Sequence, residues 1–208
     1  LVMPNCPQHV VAFYAVMLLG AIVVEHNPLY TPREIRHQFE VTAPVVAIVW
    51  DKIADVVATL PEDARPGAVV AVSLPDAMPF GKRVALRLPI SKARTARAAI
   101  TGKPTTKGVL DWDRLAEARK LSRRVARPAL ADTALLLLTS GTTGTPKAAI
   151  LSHRNLRSNA AQGRAWLPGL ADGDEVVYAV LPLFHAYGLT LCLTFAMLIG
   201  AKLVLFPK

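Results

Sequence analysis

The chain has 208 residues, 52% of them hydrophobic and 19% charged, with a formal net charge of +9. That apolar share excludes a disordered chain, and the length is enough to bury a core in one or two domains. The basic excess calls for either a basic surface throughout or a local patch that meets something anionic.

The predicted elements alternate between helix and strand. Pro7–Leu19 is apolar on nearly every side, as a buried helix is, and Gly20 is placed to stop it. Ala21–Val24 reads as a short buried strand, and Asn27-Pro28 marks a turn. Thr31-Pro32-Arg33-Glu34 forms a capping box with proline at the first helical position, which predicts a helix to about Glu40. Val45–Trp50 is predicted as a strand, Lys52–Leu60 as a helix and Val69–Leu74 as another strand.

The rhythm then breaks. From Ala77 to Leu110 there is no Asp or Glu, whereas Lys82, Arg83, Arg87, Lys92, Arg94, Arg97, Lys103 and Lys107 fall there. Interspersed prolines and glycines predict an extended excursion with one short helix near Lys92–Ala99. A second basic cluster follows at Arg119, Lys120, Arg123, Arg124 and Arg127. No aromatic residue lies between Gly81 and Asp111, so stacking platforms are missing and nucleic acid is not an expected partner. A solvated helix face, an anionic lipid surface or a polyphosphate each remains open for Lys82–Lys107, including peripheral membrane contact.

Helix is expected again at Trp112–Arg124 and strand at Ala134–Thr139. A further helix is expected from about Ser152, strand at Glu175–Leu181, helix at Tyr187–Ile199 and strand at Lys202–Phe206. This alternation predicts an α/β fold of mostly parallel sheets flanked by helices. Val10–Val24 is uncharged but shorter than the ~20 residues of a spanning helix. Val176–Ala201 is long enough, but Pro182, His185, Gly188 and Gly200 divide it into core elements. Cys6 and Cys192 stand far apart without metal-ligand spacing, as in a reducing cytosol, and both are expected to be buried apolar residues. No metal ligand set is visible.

The most informative residues are Thr139-Ser140-Gly141-Thr142-Thr143-Gly144-Thr145-Pro146-Lys147, directly after the apolar run Leu135–Leu138. Glycines let backbone approach an anion, the hydroxyls and N–H groups supply donors, and Lys147 adds a point charge for phosphate. The common P-loop, G-x-x-x-x-G-K-[ST], does not fit, because no glycine precedes Lys147 and Ala148 follows it. The second group is Leu181-Pro182-Leu183-Phe184-His185-Ala186-Tyr187-Gly188-Leu189-Thr190, where His185 ends a strand and opens a helix, a usual ligand position in an open α/β sheet.

Thr139–Lys147 resembles the ATP-phosphate loop of the adenylate-forming superfamily of acyl-CoA synthetases, luciferases and peptide-synthetase adenylation domains. Leu151-Ser152-His153-Arg154-Asn155-Leu156 matches that family's continuation into a helix. The segment around His185 is similar to its substrate-side motif, which implies that His185, Tyr187 and Gly188 shape the acyl pocket. Asn27–Glu34 with His37-Gln38, and Asn5-Cys6-Pro7, are similar to long-chain fatty acyl-CoA ligases.

The resemblance implies that a fatty carboxylate attacks the α-phosphate of magnesium ATP to give an acyl-adenylate, and that coenzyme A then displaces AMP. It implies that Thr139, Ser140, Gly141, Thr142, Thr143, Gly144, Thr145 and Lys147 hold the ATP phosphates. Residues 1–208 are expected to be a partial N-terminal AMP-binding domain, an internal piece without the C-terminal domain, inactive alone and carrying no assigned catalytic residue. A cytoplasmic location is expected, with peripheral contact to the inner membrane face left open. The alternatives are an acyl- or aryl-adenylate former with another acceptor, and a truncated non-catalytic nucleotide- or membrane-binding module.

Overall fold

The computed structural model describes residues 1–118, 126–139 and 147–207. In chain order its elements begin with α1 (Pro7–Leu18), β1 (Val23–Glu25), α2 (Pro32–Thr42), β2 (Val46–Trp50), α3 (Ala54–Ala58) and β3 (Ala68–Val72). Then come α4 (Phe80–Arg87), α5 (Ser91–Ile100), β4 (Leu110–Asp111), α6 (Trp112–Ala116), β5 (Thr133–Thr139), β6 (Lys147–Ser152) and α7 (His153–Trp166). The last are β7 (Val176–Ala179), α8 (Ala186–Gly188), a π-helical stretch (Leu189–Phe195), α9 (Ala196–Leu198) and β8 (Lys202–Leu205). They divide into two units, one of Leu1, Met3–Asn27 and Leu121–Lys208, the other of Val2 and Pro28–Lys120.

Local chemistry explains most helix ends. Proline starts α1 and α2, where its missing N–H costs nothing. Gly20 after α1 takes the left-handed φ of 73° that a residue with a Cβ avoids. At α2, Thr31 Oγ1 accepts from the Glu34 amide at 3.3 Å while the Thr31 amide donates to Glu34 Oε2 at 2.7 Å. The expected capping box is present.

In the second unit, β2, β3 and β4 run parallel in that order, with Val46 opposite Ala68 and Val70 opposite Leu110. Ile35 and Phe39 of α2 and Val57 of α3 bury against Ala47, Val49 and Val69. The basic excursion differs from expectation: it forms two helices, α4 and α5, where the sequence predicts one. Pro79 caps the start of α4, and Leu88 turns extended before Pro89, as the residue preceding a proline does. The end of α5 is tied back to the strand edge. Trp50 Nε1 donates to the Ile100 carbonyl and Lys52 Nζ to that of Ala99, each at 3.0 Å. Asp55 then accepts from the Thr105 and Thr106 amides at 2.9 Å, and these bonds, Thr106 foremost, hold its carboxyl down at about 2. The helix expected over Trp112–Arg124 ends at Ala116, with Glu117 as its cap, and residues 119–125, which include most of the second basic cluster, lie outside the described residues.

In the first unit the sheet order is β1-β5-β6, with β1 parallel and β6 antiparallel to β5. A separate parallel pair, β7-β8, sets Val176 opposite Lys202. One core joins these strands to α1 and the carboxyl-terminal helix, through Phe13, Val23, Leu135, Ala179, Leu189 and Leu193. Strand β6 is not among the expected elements, because Lys147–Leu151 shows no polar–apolar alternation. A fully buried pair, His9 Nε2 with both Glu25 carboxylate oxygens at 3.0 and 3.1 Å, fixes α1 to β1. Cys6 and Cys192 are both free and buried, and burial pushes the Cys6 thiol up to about 12.

Asp51, at the end of β2, is 7% exposed and its Oδ1 has no partner among the described residues. Burial pushes its carboxyl from 3.8 up to about 6, although the Gly102 and Lys52 amides pull the other way. The folded state therefore holds this proton more tightly than the unfolded chain. The resulting stability is complete below about 3.8 and is lost as pH rises through about 6. Asp51→Asn is expected to flatten that segment of the stability–pH curve in chemical denaturation, and an unchanged slope would contradict the assignment.

Candidate functional site

The apolar strand β5 delivers Thr139 at its carboxyl end, and β6 begins at Lys147. These two residues are partners in the antiparallel register, and Thr139 Oγ1 donates to the Lys147 carbonyl at 3.2 Å. The hydroxyl-rich segment thus joins two strand ends that face each other and whose end side chains are exposed. Ser140, Gly141, Thr142, Thr143, Gly144 and Thr145, with Pro146, lie outside the described residues. No carboxylate among the described residues pairs with Lys147, so its charge is available to an anion.

Strand and helix are locked together on the far side. Ser152 Oγ accepts from the Asn155 amide at 3.2 Å, and the Ser152 amide donates to Asn155 Oδ1 at 2.9 Å. This cap turns β6 directly into α7.

The second group is held by a residue far away in sequence. After β7 the chain must carry Leu183 into the core, which strands backbone groups away from water. Asn5, only 4% exposed, meets them. Its Nδ2 donates to the Ala179 and Leu181 carbonyls at 2.9 and 2.8 Å, and its Oδ1 accepts from the Leu183 amide at 2.8 Å. His185 follows as the cap of α8, with its amide donating to Pro182 at 3.2 Å and its carbonyl accepting from Leu189 at 2.8 Å.

The three residues expected to shape an acyl pocket are therefore placed differently. His185 and Tyr187 are exposed, with the His185 ring 4.8 Å from that of Phe184. Gly188 is buried, and a Cβ there would overlap the Pro182 carbonyl oxygen and stand 2.7 Å from its carbon. Its part in the geometry is to let the helix close on the preceding turn. Both groups hang on one core, since Ala134 and Leu135 of β5 pack in the same cluster as Ala179, Leu183 and Leu189. In the sequence, Asn5 stands out through its resemblance alone. The only local signal of its role is a polar residue set among apolar ones just before a proline-started helix.

Among the described residues, no group of three or more His, Cys, Asp or Glu is placed to hold a metal ion. The described strand ends supply a hydroxyl and an ammonium group, which suit phosphate oxygens rather than a divalent cation.

The family described as AMP-binding enzyme matches residues 1–208. The chain is 28% identical to a long-chain-fatty-acid–CoA ligase of Bacillus subtilis (strain 168), over 99% of this chain and 36% of that protein. It is 32% identical to the ligase of the same description from Yersinia pestis, again over 99% of this chain and 36% of the relative. The fold is similar to the matching part of the anthranilate CoA ligase AuaEII solved with anthranoyl-AMP, with a TM-score of 0.76 at 21% identity over 100% of this chain and 34% of that one.

Loss of the buried amide should expose the turn it satisfies. Asn5→Ala is expected to lower stability by about 3 kcal/mol, measured by denaturant unfolding. Asn5→Asp, which keeps the acceptor for Leu183 but not the two donations, should also destabilise. A wild-type midpoint in both variants would refute this role for Asn5.

Proposed function

Because the chain belongs to the AMP-binding enzyme family, we propose that it serves in the ATP-dependent activation of a long-chain fatty acid to its coenzyme A thioester. The chain spans 36% of the length of the curated ligases from Bacillus subtilis and Yersinia pestis. On this reading residues 1–208 form part of a larger N-terminal AMP-binding domain, and activity belongs to the complete protein.

The observation that supports it best is the pairing of Thr139 with Lys147, which face each other at the two ends of a segment rich in glycine and hydroxyl groups. Lys147, with Thr139, Ser140, Thr142, Thr143 and Thr145, would hold the β- and γ-phosphates of ATP, and Gly141 and Gly144 would let the backbone approach them. One carboxylate oxygen of the acid forms a bond to the α-phosphorus as the α–β bridging P–O bond breaks, and the electron pair leaves with pyrophosphate. The coenzyme A thiolate then bonds to the acyl carbon, and AMP leaves with the electrons of the acyl–oxygen bond. In both steps the protein aligns the reactants and offsets charge on phosphate.

His185 and Tyr187, exposed at the start of α8, would flank the acyl group, with Gly188 setting the turn that presents them. Magnesium bound to the triphosphate would neutralise part of its charge, and no described residue is assigned to it. No helix among the described residues is long and apolar enough to cross a membrane, and the reading takes the cytoplasm as the working compartment.

The test is pyrophosphate release by the complete protein with ATP and a panel of long-chain, short-chain and aromatic acids. Long-chain acids are expected to react best. Lys147→Ala should lower the rate roughly 100-fold or more, with Lys147→Arg retaining part of it. An unaffected Lys147→Ala variant would remove the phosphate role, and preference for an aromatic acid would remove the fatty-acid assignment.

A further inference from the structure

The hairpin of α4 and α5 turns apolar side chains outward. Phe80 and Val84 stand four positions apart on α4 and so share one face, and Leu88 follows just past its end. They are 82%, 43% and 46% exposed, and Ile90 continues the stripe at 52%. A groove of about 460 Å³ opens between the two helices, lined by Leu86, Leu88, Ile90 and Ile100 together with Lys82 and Lys92. Helices that pack on a protein core bury such a stripe, and here the polar side chains border it instead.

Those bordering side chains are all of one sign. No carboxylate occurs from Ala77 to Leu110. Among the described residues, Arg83 alone of the cations on α4 and α5 meets one, Asp76 at 3.5 Å. Lys82 and Lys92 stand at the apolar groove itself with no carboxylate partner among the described residues, while Arg87, Arg94 and Arg97 carry further unpaired charge on other sides of the hairpin.

We propose that the α4–α5 hairpin docks on anionic bilayer surfaces, with Phe80, Val84, Leu88 and Ile90 entering the acyl boundary and the surrounding Lys and Arg side chains meeting lipid phosphates. An outward apolar stripe flanked by cations suits the boundary between headgroups and acyl chains, where long basic side chains reach back toward the phosphates. A second copy of this chain is a poorer occupant, because two such faces would bring like charges together. A nucleic acid would find the cations but no stacking surface for its bases between Gly81 and Asp111. This inference uses residues that the ligase reading leaves unassigned and stands or falls separately from it.

The test is co-sedimentation of the complete protein carrying this chain with vesicles of phosphatidylcholine alone and of phosphatidylcholine mixed with phosphatidylglycerol. Binding is expected on the anionic vesicles only, falling as salt rises. Lys82→Glu and Arg87→Glu should each weaken partitioning about fivefold or more, and the paired change Phe80→Ser with Leu88→Ser should abolish it. In Phe80→Trp the introduced indole should shift its emission to shorter wavelength with anionic vesicles and be quenched by brominated acyl chains. All of these positions are on the surface, so unchanged thermal unfolding would confirm intact folds, and pyrophosphate release with a soluble acid should be unaffected. Equal binding to neutral vesicles, no binding at all, or an unquenched indole would overturn the proposal. So would lipid-independent self-association that the Phe80→Ser, Leu88→Ser pair removes, because it would assign the stripe to a second copy.

Discussion

The turn between Ala179 and Leu183 takes a main chain through apolar surroundings, where each unpaired carbonyl or amide is costly. Asn5 supplies both a donor pair and an acceptor from one short side chain, and meets three of those groups within 2.9 Å. Much of the first unit follows from this. With the turn held, Leu183 reaches the core, His185 falls at the helix start and Gly188 can lie against Pro182. An apolar substitute at position 5 would fill the space and leave the turn unsatisfied, so the position needs an amide for its hydrogen bonds rather than its bulk.

The two strand ends at Thr139 and Lys147 are positioned by a different rule. Here strand pairing does the positioning: Leu135–Leu138 pair with Ala148–Leu151 in antiparallel register, so the ends of the intervening segment are fixed by ladder hydrogen bonds. The cap at Ser152 and Asn155 then starts α7 at once.

In the second unit, Trp50, Lys52 and Asp55 gather the end of α5 and the chain leaving it onto the end of β2, while the outer face of α4 stays apolar and unpaired with acid. The net charge of +9 is thus partly localised, a feature of one helical hairpin rather than of the whole surface. Phe80, Val84, Leu88 and Ile90 of that hairpin stay exposed, which is the physical ground for giving it a partner.

Features set by neighbours in sequence are legible in the chain itself. The Thr31–Glu34 box, the proline starts, the Gly20 stop, the cap at Ser152 and the strand leading to Thr139 all depend on contacts within a few residues, so composition and spacing reveal them. The adenylate-forming resemblance is legible for the same reason, since its motifs are contiguous. What only the tertiary structure decided involves distant partners. Strand β6 exists because β5 offers a ladder edge to a segment with no strand pattern of its own. The basic excursion becomes two helices, and Trp50 and Lys52, at and just past the end of β2 and some fifty positions earlier, hold the end of the second. Asn5 acts across 174 to 178 positions, and no periodicity in the chain encodes a hydrogen bond of that span.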